Sequence, residues 1–225
     1  MSDFKKYLSL NMREIKAGMV PLLLFSFAGG LLNDSVKVSA IILLFICTAI
    51  TMKLHRIYSI DTLSERAYMI ILFPLSENIK ALSKFTAATI LQAAAYGAFA
   101  LGSMIIELLT EKTAYSETFF IGRLYEGGTA YGAALVFTFL LAISALSMLM
   151  YRLSYALINF AIVGHIISTV PVIIVLYYVL NYVTNESVKV IFTYPLPVIF
   201  VCVFIAVFAM IGVIKLGESE DNTLL

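Results

Sequence analysis

The chain has 225 residues, 61% of them hydrophobic and only 13% charged. Ordinary soluble domains are about 45–50% apolar and about 25% charged, so a water-soluble monomer is excluded. At about 20 residues per spanning helix, six helices take roughly 120 residues, and a fused soluble catalytic domain of typical size no longer fits. The net charge is +1 without a block of like charge, which gives no basis for nucleic acid as a partner.

The opening MSDFKKYLSLNMREIK is polar and no small-residue cleavage site follows it, so no removable signal peptide is expected. Phe4, Leu8, Met12, Ile15 and Met19 recur at helical spacing beside a polar face of Lys5, Ser9, Arg13 and Lys16. This pattern predicts an amphipathic helix over 1–16 lying on the cytoplasmic leaflet, either a simple anchor or an elbow into the first span.

Apolar stretches long enough to span follow at about 17–33, 36–54, 85–109, 130–151, 153–181 and 195–215. With the N-terminus inside, the inner segments hold Lys5, Lys6, Arg13, Lys16, Lys53, Arg56, Arg66, Lys80, Lys84, Arg152 and Lys215, against Lys37, Lys112, Arg123 and Lys189 outside. The excess of basic residues places both termini in the cytoplasm. The expected fold is an all-α integral membrane protein: the interfacial helix 1–16, a six-span domain over 17–216 and a cytoplasmic tail 217–225. Cys47 and Cys202 lie inside apolar stretches, where a thiol behaves as a small hydrophobe and not as half of a disulfide.

The substantial inner segment is KLHRIYSIDTLSERAYMIILFPLSENIKALSK, between the second and third spans. Pro74 disfavours helical geometry at Phe73 and removes a backbone donor, so two short helices are expected, about 62–72 and 76–84. Ser76 suits the N-cap of the second, with Glu77 in its first turn and Lys80 and Lys84 toward its end. The first has apolar residues on more than one face, which outside a bilayer calls for a partner. The outer segment 110–129 mixes Glu111, Glu117 and Glu126 with Lys112 and Arg123 and breaks at Gly127-Gly128. It reads as a solvated cap.

No apolar stretch carries a central Asp, Glu, Lys or Arg, whereas transporters coupled to protons or ions usually bind them at such groups. His165, Ser168 and Thr169 share one helix face just before Pro171. Either the hydroxyls satisfy carbonyls freed by the proline, or the stripe lines a substrate path together with Asn159 and Gln92. In the third span Ala94, Ala98 and Gly102 recur every four residues, marking a close helix contact within the chain or between subunits. Phosphate-loop, HExxH, GxSxG and CxxC motifs are absent. No metal or catalytic cluster and no enzyme activity are expected of this chain.

Glu65-Arg66 followed by MIILFPLSENIKALSKF, with Pro74, Ser76, Ile79, Ser83, Lys84 and Phe85, resembles the stretch between the second and third spans of permeases of the type-2 ATP-binding-cassette (ABC) exporters. There an acidic residue precedes a leucine-rich helix and an LPxS…I…SK[YF] pattern enters the third span. LNMREIKAG is similar to the amphipathic start of that family. Residues 1–20 and 64–86 carry the likeness, and Glu77-Asn78 departs from it where many relatives have basic residues after the serine.

The resemblance implies a separate ATPase subunit that holds the ATP and magnesium, so this chain itself has no cofactor. It also implies a coupling helix near Ser64–Leu72, within a cytoplasmic coupling segment of about 55–84, that seats in a groove on the ATPase. The residues carried over are Ser64, Glu65, Arg66, Tyr68, Met69, Leu72, Pro74 and Ser76. Two permease copies, or this one with a related permease, would enclose the substrate path in a bacterial cell membrane. The cargo implied is an amphipathic peptide such as a phenol-soluble modulin, a lantibiotic or another hydrophobic compound. The alternatives are a membrane scaffold or binding subunit that moves nothing, or a passive facilitator.

Overall fold

The chain's punctuation falls at Gly18, Ser76, Gly127-Gly128 and Pro195, and helices begin next to each of them. The computed structural model describes residues 2–16, 18–32, 36–58, 76–110, 129–157, 166 and 195–223. Among these residues all regular structure is helical: α1 (Ser2–Lys16), α2 (Met19–Leu31), α3 (Val36–Tyr58), α4 (Glu77–Thr110), α5 (Thr129–Leu157) and α6 (Pro195–Thr223). The last five cover the first four expected apolar stretches and the sixth; the fifth, 153–181, lies almost wholly outside the described residues.

Gly18 adopts φ 85°, a left-handed conformation open to glycine at no steric cost. Around it α1 and α2 bend by 59°. Pro195 opens α6, where its missing donor would have had no intrahelical acceptor. The structure departs from the expected short helix 76–84, because residues 77–110 form one unbroken helix. Between Pro74 and Gly97 the chain offers no helix breaker, and Ala, Leu and Lys favour continuation. Lys80 and Lys84 therefore sit in the first turns of α4 and not near a C-terminus.

The most extensive contacts join α6 to α5 and α2 to α4, and α1 lies against the beginning of α4. The α5–α6 contact is built on Ala145, Ala206 and Ala209, small residues that let helix axes approach. The α2–α4 crossing is closer still. A Cβ on Gly30 would fall 2.1 Å from the Phe99 carbonyl oxygen, and one on Gly102 would fall 2.3 Å from that of Phe27. Gly102 thus packs within the chain. The Ser103 hydroxyl crosses the same contact, donating to Phe99 O at 3.1 Å and approaching Gly30 O at 3.4 Å. Cys47 and Cys202 are both free thiols, and Cys47 Sγ lies 3.3 Å from the Tyr96 hydroxyl.

Two described helical segments, Glu77–Ile106 and Ile199–Gly217, are long and apolar enough to cross a membrane, and a third qualifies if the bent α1–α2 pair is taken as one. The surface agrees in character. Leu24, Leu101, Met104, Phe200, Phe204 and Phe208 are exposed, while Asn11, Ser26, Thr51, Ser83, Lys84, Gln92 and Ser144 are buried. This reverses the soluble pattern. Outward hydroxyls bond to their own helix: Thr86 donates to Leu82 O at 2.8 Å and Thr138 to Ala134 O at 2.9 Å. Such back-bonding satisfies a hydroxyl from its own helix.

Two glycines of α4 separate close packing from helix propensity. Gly102→Val should lower the thermal midpoint of the detergent-solubilised protein and broaden its size-exclusion peak, because no side chain can move away from a backbone carbonyl. Gly97 has open space where its Cβ would be, so Gly97→Ala should be neutral or stabilising by up to about 1 kcal/mol.

Candidate functional site

Ser64, Glu65, Arg66, Tyr68, Met69, Leu72 and Pro74 lie outside the described residues, as do Asn159, His165, Ser168 and Thr169. The residues on either side of 59–75 are described, and both sides are held in one polar cluster. Tyr58 ends α3, and Ser76, exposed, precedes α4. The Ser76 carbonyl accepts from the backbone N–H groups of Ile79 at 2.9 Å and Lys80 at 3.2 Å, which starts the helix.

Glu77 opens α4 and joins two cations. Its Oε1 lies 2.6 Å from Lys80 Nζ and its Oε2 lies 3.2 Å from Arg152 Nη2, near the end of α5. The carboxylate is nearly buried, so the pairs are screened less than surface ones. The third wall is α6, where a Cβ on Gly217 would fall 2.5 Å from Glu77 Oε2. One carboxylate therefore links α4 to α5 while α6 packs against it.

On the other side of 59–75, Lys84 Nζ donates to the Tyr58 carbonyl at 2.9 Å, and the lysine is only 2% exposed. The last carbonyls of a helix lack intrahelical donors and carry the negative end of its dipole. Lys84 supplies both a donor and a positive charge to the end of α3. Its neighbour Ser83 accepts from Asn11 Nδ2 at 2.9 Å, which fastens α1 to α4. Asn11 is fully buried and its Oδ1 has no hydrogen-bond partner among the described residues. An unsatisfied buried acceptor costs about 1–3 kcal/mol, so this join is the weaker one.

The buried face of α1 runs through Tyr7, Asn11 and Ile15, with Leu8 and Met12 packed against the core. The stripe is turned by about one residue from the one the apolar spacing picks out, because Asn11 has Ser83 to bond. Behind it the His55 ring meets the Tyr151 ring edge-on at 5.4 Å, and the Tyr58 ring lies 5.3 Å from the same tyrosine. His55 and Tyr58 lie past the apolar stretch 36–54. Burial holds the His55 imidazole below its usual 6.5. It also raises the Tyr58 phenol above its usual 10. Both groups are neutral near pH 7.

Gln92 sits mid-helix in α4, buried, and accepts from the Ser144 hydroxyl at 3.2 Å across the α4–α5 contact. No group of three or more His, Cys, Asp or Glu side chains is poised for a metal among the described residues. The ion pairs and hydrogen bonds of Glu77, Lys84 and Asn11 are suited to fixing helix ends. Comparison with protein-family models, with curated proteins and with solved structures finds no match.

Sequence reading missed Asn11, Tyr58, Glu77 and Arg152 as a group, although each carried a signal. Asn11 is the polar member of an i, i+4 series with Tyr7 and Ile15, and Arg152 is a lone charge between two apolar stretches. Their pairing across α1, α3, α4 and α5 has no signature in local spacing.

Two measurements address the cluster. Glu77→Ala should lower stability by about 1–3 kcal/mol by leaving Arg152 without its carboxylate, and combining it with Arg152→Ala should cost less than the sum of the two single changes in a thermal-shift cycle. Because the folded pKa of His55 is lowered, its contribution is fully present above about pH 6.5 and is lost as pH falls below that value. His55→Gln should flatten this acid-side decline in thermal midpoint.

Proposed function

We propose that the chain is the transmembrane subunit of an ATP-driven exporter of the type-2 ABC class. It crosses the bacterial cell membrane six times with both termini in the cytoplasm, pairs with a second permease and is driven by a separate ATPase. The observation that supports this best is the fastening of both ends of segment 59–75. Lys84 holds the end of α3, Glu77 holds the start of α4 to Arg152, and α1 and α6 close on the same place. A load applied to 59–75 would pass directly into the helices because its base is stapled.

Three features of the sequence point the same way. The residues from Glu65 to Phe85 resemble the coupling region of that class, eleven of fifteen basic residues fall on its side of the membrane in the six-span reading, and the apolar stretches lack a central ionisable group. Energy for uphill export then has to come from a partner. ATP and magnesium belong to that partner, and the chain's own part is to form the path and receive the push. An amphipathic peptide or another hydrophobic compound is the cargo class suggested by the same likeness.

Co-expression with an ABC-type ATPase encoded beside it, pull-down and vesicle transport make the test. Glu65→Ala combined with Arg66→Ala should weaken co-purification and reduce transport-coupled ATP turnover at least tenfold with normal membrane insertion. Unchanged assembly and turnover would remove the coupling role from these residues. Substrate flux that stays flat with and without ATP would identify a scaffold, and flux without any ATPase a facilitator.

A further inference from the structure

The surface character of the chain changes abruptly at Gly18. On α1 the exposed residues are Asp3, Lys5, Lys6, Ser9, Arg13 and Lys16, all polar, while Tyr7 and Ile15 are turned into the bundle. On α2 the exposed large side chains are apolar at once, with Val20 at 65% and Leu24 at 64% exposure, followed by Phe25. Within four residues, from Lys16 to Val20, the outer face passes from cationic to hydrocarbon. Lys53 of α3 reaches the same level, since a Cβ on Gly18 would fall 2.5 Å from its Nζ. Such a step matches the boundary between headgroups and acyl chains in its order and in its width of a few ångströms.

We propose that the outer face of α1, through Lys5, Lys6, Arg13 and Lys16, binds anionic phospholipid headgroups and gives this chain a preference for negatively charged lipid at its elbow. Charge complementarity selects this occupant. The face carries four exposed cations against one exposed carboxylate, Asp3, and it is continuous with an apolar surface that only acyl chains or another apolar face can cover. The inner side of α1 is occupied by the bundle through Asn11 and Ser83, so the helix presents its cations from a fixed support. Basic residues beside an anionic leaflet each shift partition by about fivefold. The inference requires the chain to lie in a bilayer but is independent of the export reading.

The chain contains no tryptophan, so one introduced residue reports locally. The full-length protein carrying Phe4→Trp is reconstituted in vesicles of phosphatidylcholine with phosphatidylglycerol, with one or the other lipid brominated. Quenching gives the relative binding constant of the two lipids at α1. Brominated phosphatidylglycerol should be preferred by at least about fivefold at position 4. The same comparison with Phe204→Trp, on the exposed apolar face of α6, should give a ratio near one. Lys5→Gln, Lys6→Gln and Lys16→Gln together alter only exposed side chains and should bring the position 4 ratio toward one.

A ratio near one at position 4 with the lysines present, or a ratio unchanged by their replacement, overturns the proposal. If the triple change left the ratio intact and instead weakened co-purification of an ATPase, the face would be a protein contact and the lipid proposal would again fail. Absence of quenching at position 204 would overturn the bilayer placement itself.

Discussion

Among the described residues, hydrogen bonds within the protein join polar side chains to their own helix or to a neighbouring one, and these bonds fix how several helices meet. Where a hydroxyl faces outward, as Thr86 and Thr138 do, it bonds to the carbonyl four residues before it. Three inward polar side chains meet a partner on another helix: Gln92 with Ser144, Asn11 with Ser83, and Lys84 with the end of α3. With apolar residues covering the outside, the hydrophobic effect does little to choose between helix arrangements in lipid. Close backbone approach and inward hydrogen bonds make that choice. The Gly30–Gly102 crossing and the alanine contact between α5 and α6 supply the first, and the polar cluster supplies the second.

The cluster also ties the helices to one another near the start of α4. Lys84 neutralises the end of one helix while it belongs to the next, so the base of segment 59–75 is bridged by a single buried side chain. Glu77 does the same between α4 and α5, with α6 resting on it. The join through Asn11 is different in quality, since one of its polar atoms is left unsatisfied.

Much of the helix layout was legible in the sequence. Long apolar stretches bounded by Gly, Pro and polar residues give the starts of α2, α3, α5 and α6 to within about two residues, but α5 and α6 run on to Leu157 and Thr223, past the expected ends at 151 and 215 and into the expected tail, and α4 begins before its stretch. There Pro74 points to a separate short helix over 76–84, whereas the residues beyond it form one helix through Thr110, since nothing after Ser76 interrupts the backbone ladder. The small-residue stripe was legible as a close contact, but its partner was not. Gly30 and Gly102 are far apart in sequence, and no local pattern names one for the other.

The sequence by itself determined that the described residues are helical and apolar, which residues are too polar for hydrocarbon, and where most of the helices start. These are matters of composition and of i to i+4 spacing, which act over one or two turns. Tertiary structure alone decided that Asn11 outranks the apolar stripe in orienting α1, that Lys84 serves the end of α3 and not its own helix, and that Glu77 meets Arg152 beneath α6. Each depends on partners 26 to 75 residues away. Such partners are chosen by which surfaces pack closely enough to exclude other donors and acceptors, and that choice exists only once the helices have assembled.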